Sequence, residues 1–335
     1  MNSEPKSLQE AIVYFSNPDN CIAHLVTQRW PDGIVKCPTC GNEKVNYRAH
    51  RRTWTCSSHH AKREFSVKVG TMMEDSPIGL DKWLTATWLL TNCKNGISSY
   101  EIARDVKVSQ KCAWFMLHRI RLAMQDETFG SKMGGEVEAD ETFGSKLGGE
   151  VEADETFIGG KSRNMHKSKR ERRITGTGGK DKTAVMGLLE RGGNVRAKVI
   201  SSRKAKELQA EVRKHVEAGA ALYTDSLPSY NGLATDYAHQ IVDHAVEYVN
   251  GRVHTNGLEN FWSLLKRGIN GTYVSIEPFH LFRYLDEQSF RYNNRATHKN
   301  PLNDSDRFNR VTSQFVGKRL TFVELTGKAG QTTVN

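Results

Sequence analysis

Residues 150–158 read Glu150-Val151-Glu152-Ala153-Asp154-Glu155-Thr156-Phe157-Ile158, followed by Gly159-Gly160. The side chains alternate between two faces, the period of a strand, and the glycine pair ends it. Residues 183–189 and 195–201 are expected to form two more strands, separated by a Gly192-Gly193 turn. A helix over 205–216 then leads to Ala220-Ala221-Leu222-Tyr223-Thr224-Asp225, a short apolar strand ending in a carboxylate. Strands interleaved with helices in this order predict an α/β domain.

A second helix is expected over 254–267. At about 100° per residue, Leu258, Trp262, Leu265 and Ile269 form one narrow stripe suited to packing on a sheet. Glu259 and Lys266 lie nearly one above the other, about a quarter-turn from that stripe. Two strand-end aspartates, Asp154 and Asp225, together with Glu259, suit a pair of Mg2+ ions (or Mn2+). Such hard cations take carboxylate oxygens and keep positions open for phosphates. Lys266 would hold a phosphate beside them. Taken singly, each of these acids reads better as a surface carboxylate or a helix cap; their joint arrangement reverses that and points to chemistry.

The approach to the first strand is duplicated. Residues 130–143 read GSKMGGEVEADETF and 144–157 read GSKLGGEVEADETF, after an earlier DETF at 126–129. Two copies of so short a period cannot build a stacked solenoid. They leave Asp126, Asp140 and Asp154 in the same tetrapeptide, with Asp140 the alternative to Asp154 as the first acid.

The 335-residue chain carries 48 Lys and Arg against 38 Asp and Glu, a net charge of +10. The acidic groups concentrate in 126–157, so the remainder is strongly basic and favours a polyanion such as double-stranded DNA. Residues 161–182 hold nine Lys or Arg, expected as a solvated loop that touches DNA through Lys169, Arg170, Arg172 and Arg173; Arg267 extends the same basic character. The sequence contains no apolar run long enough to span a bilayer, and its start lacks the basic and apolar parts of a signal peptide. A cytoplasmic protein with no membrane partner is the expectation.

Near the start, Cys37-Pro38-Thr39-Cys40-Gly41 and Cys56-Ser57-Ser58-His59 give the pattern Cys-x2-Cys-x15-Cys-x2-His. This is the spacing of a closed, structural Zn2+ site, with His60 as an equally placed alternative to His59. Lys44, Arg48, Arg51 and Arg52, with Tyr47 and Trp54, lie between the two knuckles and suit a nucleic-acid backbone. Further along, residues 80–124 read as three helices. Ser98 with Glu101 forms a capping box and Ser109 caps the last helix, so the short break between these two helices fits a helix-turn-helix. Its final helix would offer Lys111, Arg119 and Arg121 to DNA; an ordinary helical hairpin is the competing reading.

The strings CPTCG, DETFIGGK, YTDSLPSY, HTNGLENFWSLLKRGINGTY and LDEQSFRYNNR resemble bacterial insertion-sequence transposases of the zinc-ribbon, ISXO-type group, whose catalytic part is of the DDE class. The resemblance covers roughly residues 16–300. It implies an RNase H-like, retroviral-integrase-like domain (148–300), which follows the zinc ribbon (16–70), the helix-turn-helix segment (78–125) and the duplicated stretch (126–157), itself a departure from the group; the polar, weakly patterned tail (301–335) is assigned no role. It implies terminal inverted repeats and target DNA as partners, metal-dependent strand cleavage and strand transfer, and a homo-oligomer at work. Asp154, Asp225 and Glu259 match the group's acids, with Asn256 the alternative for the third, because the group shows either Glu or Asn there. Asp154 is followed by the group's IGGK, whereas Asp126 and Asp140 are followed by GSK.

Overall fold

The computed structural model describes residues 4–125, 146–159, 166–168, 171, 182–242, 253–298 and 300–327. The chain divides into two units, one of residues 1–124 with 294–335 and one of residues 125–293. Asp140, Lys169, Arg170, Arg172 and Arg173 lie outside the described residues.

The first unit begins with helices α1 (Leu8–Phe15) and α2 (Pro18–Arg29). A small antiparallel sheet follows, β1 (Val45–Arg48), β2 (Thr53–Cys56) and β3 (Glu64–Phe65). Trp54 anchors it, stacked on Phe65 with ring centroids 5.9 Å apart. Helices α3 (Leu80–Asn92), α4 (Ser99–Asp105) and α5 (Gln110–Ala123) come next. The anticipated caps are present: Ser98 and Glu101 form a reciprocal capping box, and the Ser109 hydroxyl accepts from the Cys112 N–H.

Two expectations fail in α5. Arg119 and Arg121 are buried, not turned to a groove, with 7% and 1% of their surface exposed. The Arg119 guanidinium donates to the backbone carbonyls of Met72, Glu74 and Leu320 and lies 4.3 Å from the centroid of the Phe115 ring. A planar fork with five donors satisfies backbone carbonyls that converge in a core, a use indistinguishable by composition from a DNA-facing arginine. Lys111 is exposed at the helix start, its ammonium 4.6 Å from the Phe322 ring centroid.

The polar tail also does more than its composition suggests. Helices α9 (Asp304–Ser313) and α10 (Phe322–Leu325) belong to the first unit. Phe308 is buried against Phe15, His24 and Trp88. A single aromatic every few residues is enough to seat a helix in an existing core.

In the second unit the strands are β4 (Glu150–Ile158), β5 (Thr183–Glu190), β6 (Val195–Ile200), β7 (Ala221–Asp225) and β8 (Ala238–Val242). They form one sheet in the order β6-β5-β4-β7-β8. The β6-β5-β4 ladder is antiparallel and the β4-β7-β8 ladder parallel, a mixed arrangement consistent with an RNase H-like fold. The edge strand β8 escapes sequence reading because it is short and mostly exposed. One face of the sheet packs α6 (Ala205–His215) with Tyr230, Leu233 and Tyr237. The other packs α7 (Asn256–Gly268) and α8 (Leu281–Asn293). Leu258, Trp262, Leu265 and Ile269 are buried there, as their stripe requires.

Candidate active site

Strand geometry brings the first two acids together. In the parallel pair β4–β7, Ala153 lies opposite Thr224. Asp154 and Asp225 are therefore the next residues on neighbouring strands, about 4.8 Å apart along the hydrogen-bonding direction and on the same sheet face. Asp154 is held from two sides: its Oδ1 accepts the Glu155 N–H at 2.8 Å and its Oδ2 accepts the Trp262 indole N–H at 3.0 Å. Asp225 Oδ1 accepts the Leu227 N–H at 3.1 Å.

Helix α7 supplies the third carboxylate. Asp154, Glu155, Thr156, Glu259, Trp262, Ser263 and Lys266 line an open cleft of about 460 Å³. Glu259 and Lys266 thus face the same space, seven residues apart on one helix. Asn256, the first residue of that helix, is exposed, and neither it nor Asp225 is among the residues lining this cleft; Asp225 is placed beside Asp154 by the strand register alone. Arg267 is exposed one residue beyond Lys266.

The electrostatics agree with this grouping. Burial raises the Asp154 carboxyl, and the charges of Asp225 and Glu259 push in the same direction, to about 6. A group raised by two like charges and by desolvation is one in which negative charge is crowded. Such a set of hard oxygen donors, in a basic protein and with a lysine alongside, fits Mg2+ or Mn2+. Asp154, Asp225 and Glu259 are the residues that would hold the ions.

Sequence reading missed a fourth acid. Glu155 also lines the cleft and takes a hydrogen bond from the hydroxyl of the buried Tyr230. Burial and the charges of Asp225 and Asp154 outweigh that bond and push Glu155 up to about 7. Only the tertiary fold shows this, because Tyr230 reaches Glu155 across 75 residues of sequence. Glu287, in the LDEQSFRYNNR string, is buried and bonded to Tyr273 and Arg291, a role within the core.

In the ribbon, Cys37, Cys40, Cys56 and His60 bring their ligand atoms within 4.8 Å of one another. The fourth position belongs to His60, not His59. The Ser58 N–H bonds Cys56 Sγ, and the turn after Cys56 leaves His59 exposed while His60 Nε2 comes to 3.4 Å from Cys37 Sγ. Gly41 closes the first knuckle at φ +72°, and its N–H bonds the Cys37 carbonyl. Burial opposes ionisation of Cys37, but the N–H groups of Thr39 and Cys40 outweigh it and bring the thiol to about 7. Three soft sulfurs and an imidazole in so tight a cluster suit a closed tetrahedral Zn2+ site. Among the described residues no helix is long and apolar enough to cross a membrane.

Known proteins resemble both parts of the chain. Over 262 residues the chain is 29% identical to an uncharacterized protein in transposable element ISH50 of Halobacterium salinarum, covering 74% of this chain and 82% of that protein. Residues 16–60 match the transposase zinc-ribbon domain and residues 146–293 the ISXO2-like transposase domain. The sheet with Asp154 and Asp225, the helix with Glu259 and the cysteine knuckles all fall within these matched stretches, so the chain is similar to a transposase zinc ribbon in its first part and to an ISXO2-like transposase domain in its second.

Proposed function

We propose that this protein is a DDE-type transposase: it binds the terminal inverted repeats of an insertion sequence and catalyses metal-dependent cleavage and transfer of DNA strands. The carrying observation is that Asp154, in register with Asp225 on the adjacent parallel strand, shares a cleft with Glu259 and Lys266 of the facing helix. Mg2+ or Mn2+, when bound by these carboxylates, supplies activation of a water or 3′-hydroxyl and stabilisation of the leaving oxygen.

The chain's own groups orient this chemistry. The Trp262 and Glu155 N–H groups fix both oxygens of Asp154, and the Leu227 N–H fixes one of Asp225. Lys266 holds a DNA phosphate next to Glu259. Transfer requires two DNA ends held together, so the working form is an oligomer on target and repeat DNA. The ribbon, with Tyr47 and Arg48 exposed on β1, adds a basic aromatic surface for the backbone.

The test is an incubation of full-length protein with labelled inverted-repeat DNA and Mg2+. Joined products support a transposase, nicks alone a nuclease, and a shifted band without cleavage a DNA-binding protein. Asp154→Ala should abolish cleavage while Asp140→Ala retains it; the reverse result overturns the assignment of the first acid.

A further inference from the structure

Helix α7 begins without a conventional cap: Thr255 precedes it and makes no side-chain bond to its first turn. The orphan N–H groups of a helix start need an acceptor. One is supplied from the sheet. Glu152, 1% exposed on β4, accepts the Leu258 N–H on Oε2 at 3.0 Å. Its Oε1 accepts from Arg191 Nε at 2.9 Å. The same guanidinium donates to the His254 carbonyl at 2.6 Å and packs 4.1 Å from the Tyr223 ring centroid. Gly257 admits this approach, since a Cβ there would lie 2.8 Å from Glu152 Oε2 and run into Leu189.

We infer that Glu152 and Arg191 are positioning residues, which lock the start of α7 onto the strand carrying Asp154 and so set Glu259 and Lys266 against it. The spacing makes the lock direct. Glu152 is two residues from Asp154 on the same strand face, and its partner Leu258 is the residue before Glu259. One strand therefore presents both an acid and an anchor, and one helix receives both, the anchor at Leu258 and the acid at Trp262. A buried carboxylate is tolerable there only with its cation, and Arg191 supplies a fork able to serve Glu152 and the His254 carbonyl together. The link to metal binding rests on the transposase reading; the anchoring itself does not.

Two measurements on the full chain without DNA test this: amide exchange at residues 256–262, and Mn2+ affinity by titration. Glu152→Ala and Arg191→Ala should raise exchange at Leu258 about tenfold or more, the loss of a hydrogen bond to a charged group. Mn2+ affinity should fall about tenfold or more, as for partners that orient metal ligands. Glu152→Gln keeps an oxygen for Leu258 but loses the ion pair, and should fall between; it carries the test if Glu152→Ala does not fold. Arg191→Lys, with charge but no fork, should not restore wild-type exchange. Wild-type exchange at Leu258 in Glu152→Ala, or in Glu152→Gln if the alanine variant is unfolded, overturns the inference. Faster exchange with unchanged Mn2+ affinity overturns its link to the carboxylates. A wild-type chain that binds no Mn2+ sinks the metal reading, and the exchange result then decides the anchoring alone.

Discussion

Gly187 lies directly opposite Asp154 in the β4–β5 ladder, and its missing side chain is what lets α7 sit down on the sheet. A Cβ added there would come 2.6 and 2.9 Å from two ring carbons of Trp262 and 2.8 Å from Leu258 Cδ2. Carbon contacts settle at roughly 3.5–4.0 Å, so Gly187→Ala forces the helix outward. Overpacking of this kind costs about 1–3 kcal/mol, offset by about 0.4–1 kcal/mol because alanine restricts the unfolded chain. The two ranges leave a net loss of about 0–2.6 kcal/mol, centred near roughly 1.3 kcal/mol. The helix cannot shift without stretching the Trp262–Asp154 hydrogen bond. Urea unfolding of the full-length protein, read by hydrogen exchange in peptides from 183–190 and 256–268, isolates this unit. Trp262→Phe removes the ring carbons in conflict, so the double variant should lose at least about 0.5 kcal/mol less than the two single losses added. Strict additivity in the double variant refutes the close seating of the helix, since contacting residues couple by at least about 0.5 kcal/mol.

Other outcomes follow from the same structure. Chelation of zinc, or Cys56→Ser, should melt β1–β3 while leaving exchange in the β4–β8 sheet unchanged, because the metal's binding energy is folding energy for so small a sheet; retention of the ribbon in metal-free protein argues against the Cys3His site. Phe308→Ala should destabilise the first unit by about 3–5 kcal/mol, and equilibrium unfolding close to wild type would mean that the tail helix is dispensable. Burial lowers the His24 imidazole to about 4, against an ordinary value near 6.5. A base depressed in the fold contributes full stability above the unfolded value and loses it as pH falls, here from 6.5 to 4. The loss is up to about 3 kcal/mol. His24→Gln should flatten that part of the pH–stability curve, and an unchanged slope rejects the assignment.

Much of the site was legible along the chain because it depends on period. Alternation in Glu150–Ile158 and the helical stripe at Leu258, Trp262, Leu265 and Ile269 place the acids on definite faces before any coordinates. Cysteine spacing likewise reveals the ribbon's donors, since a knuckle is a local turn. What one dimension leaves open is any choice that depends on which distant surface a side chain meets. Arg119 and Arg121 have the composition of a DNA-reading helix, yet the carbonyls of Met72, Glu74 and Leu320 draw Arg119 inward.

His59 and His60 are equivalent in spacing, and the path of the chain after Cys56 separates them. Glu152 looks like one more acid in an acidic strand until Arg191 and the Leu258 N–H arrive from 39 and 106 residues away. Sequence alone thus determined the chemical inventory and the local faces, through hydrophobic period and ligand spacing. Tertiary structure decided which charges are neutralised, which are crowded and which helix end meets which strand, because desolvation and pairing depend on distances that chain order does not contain.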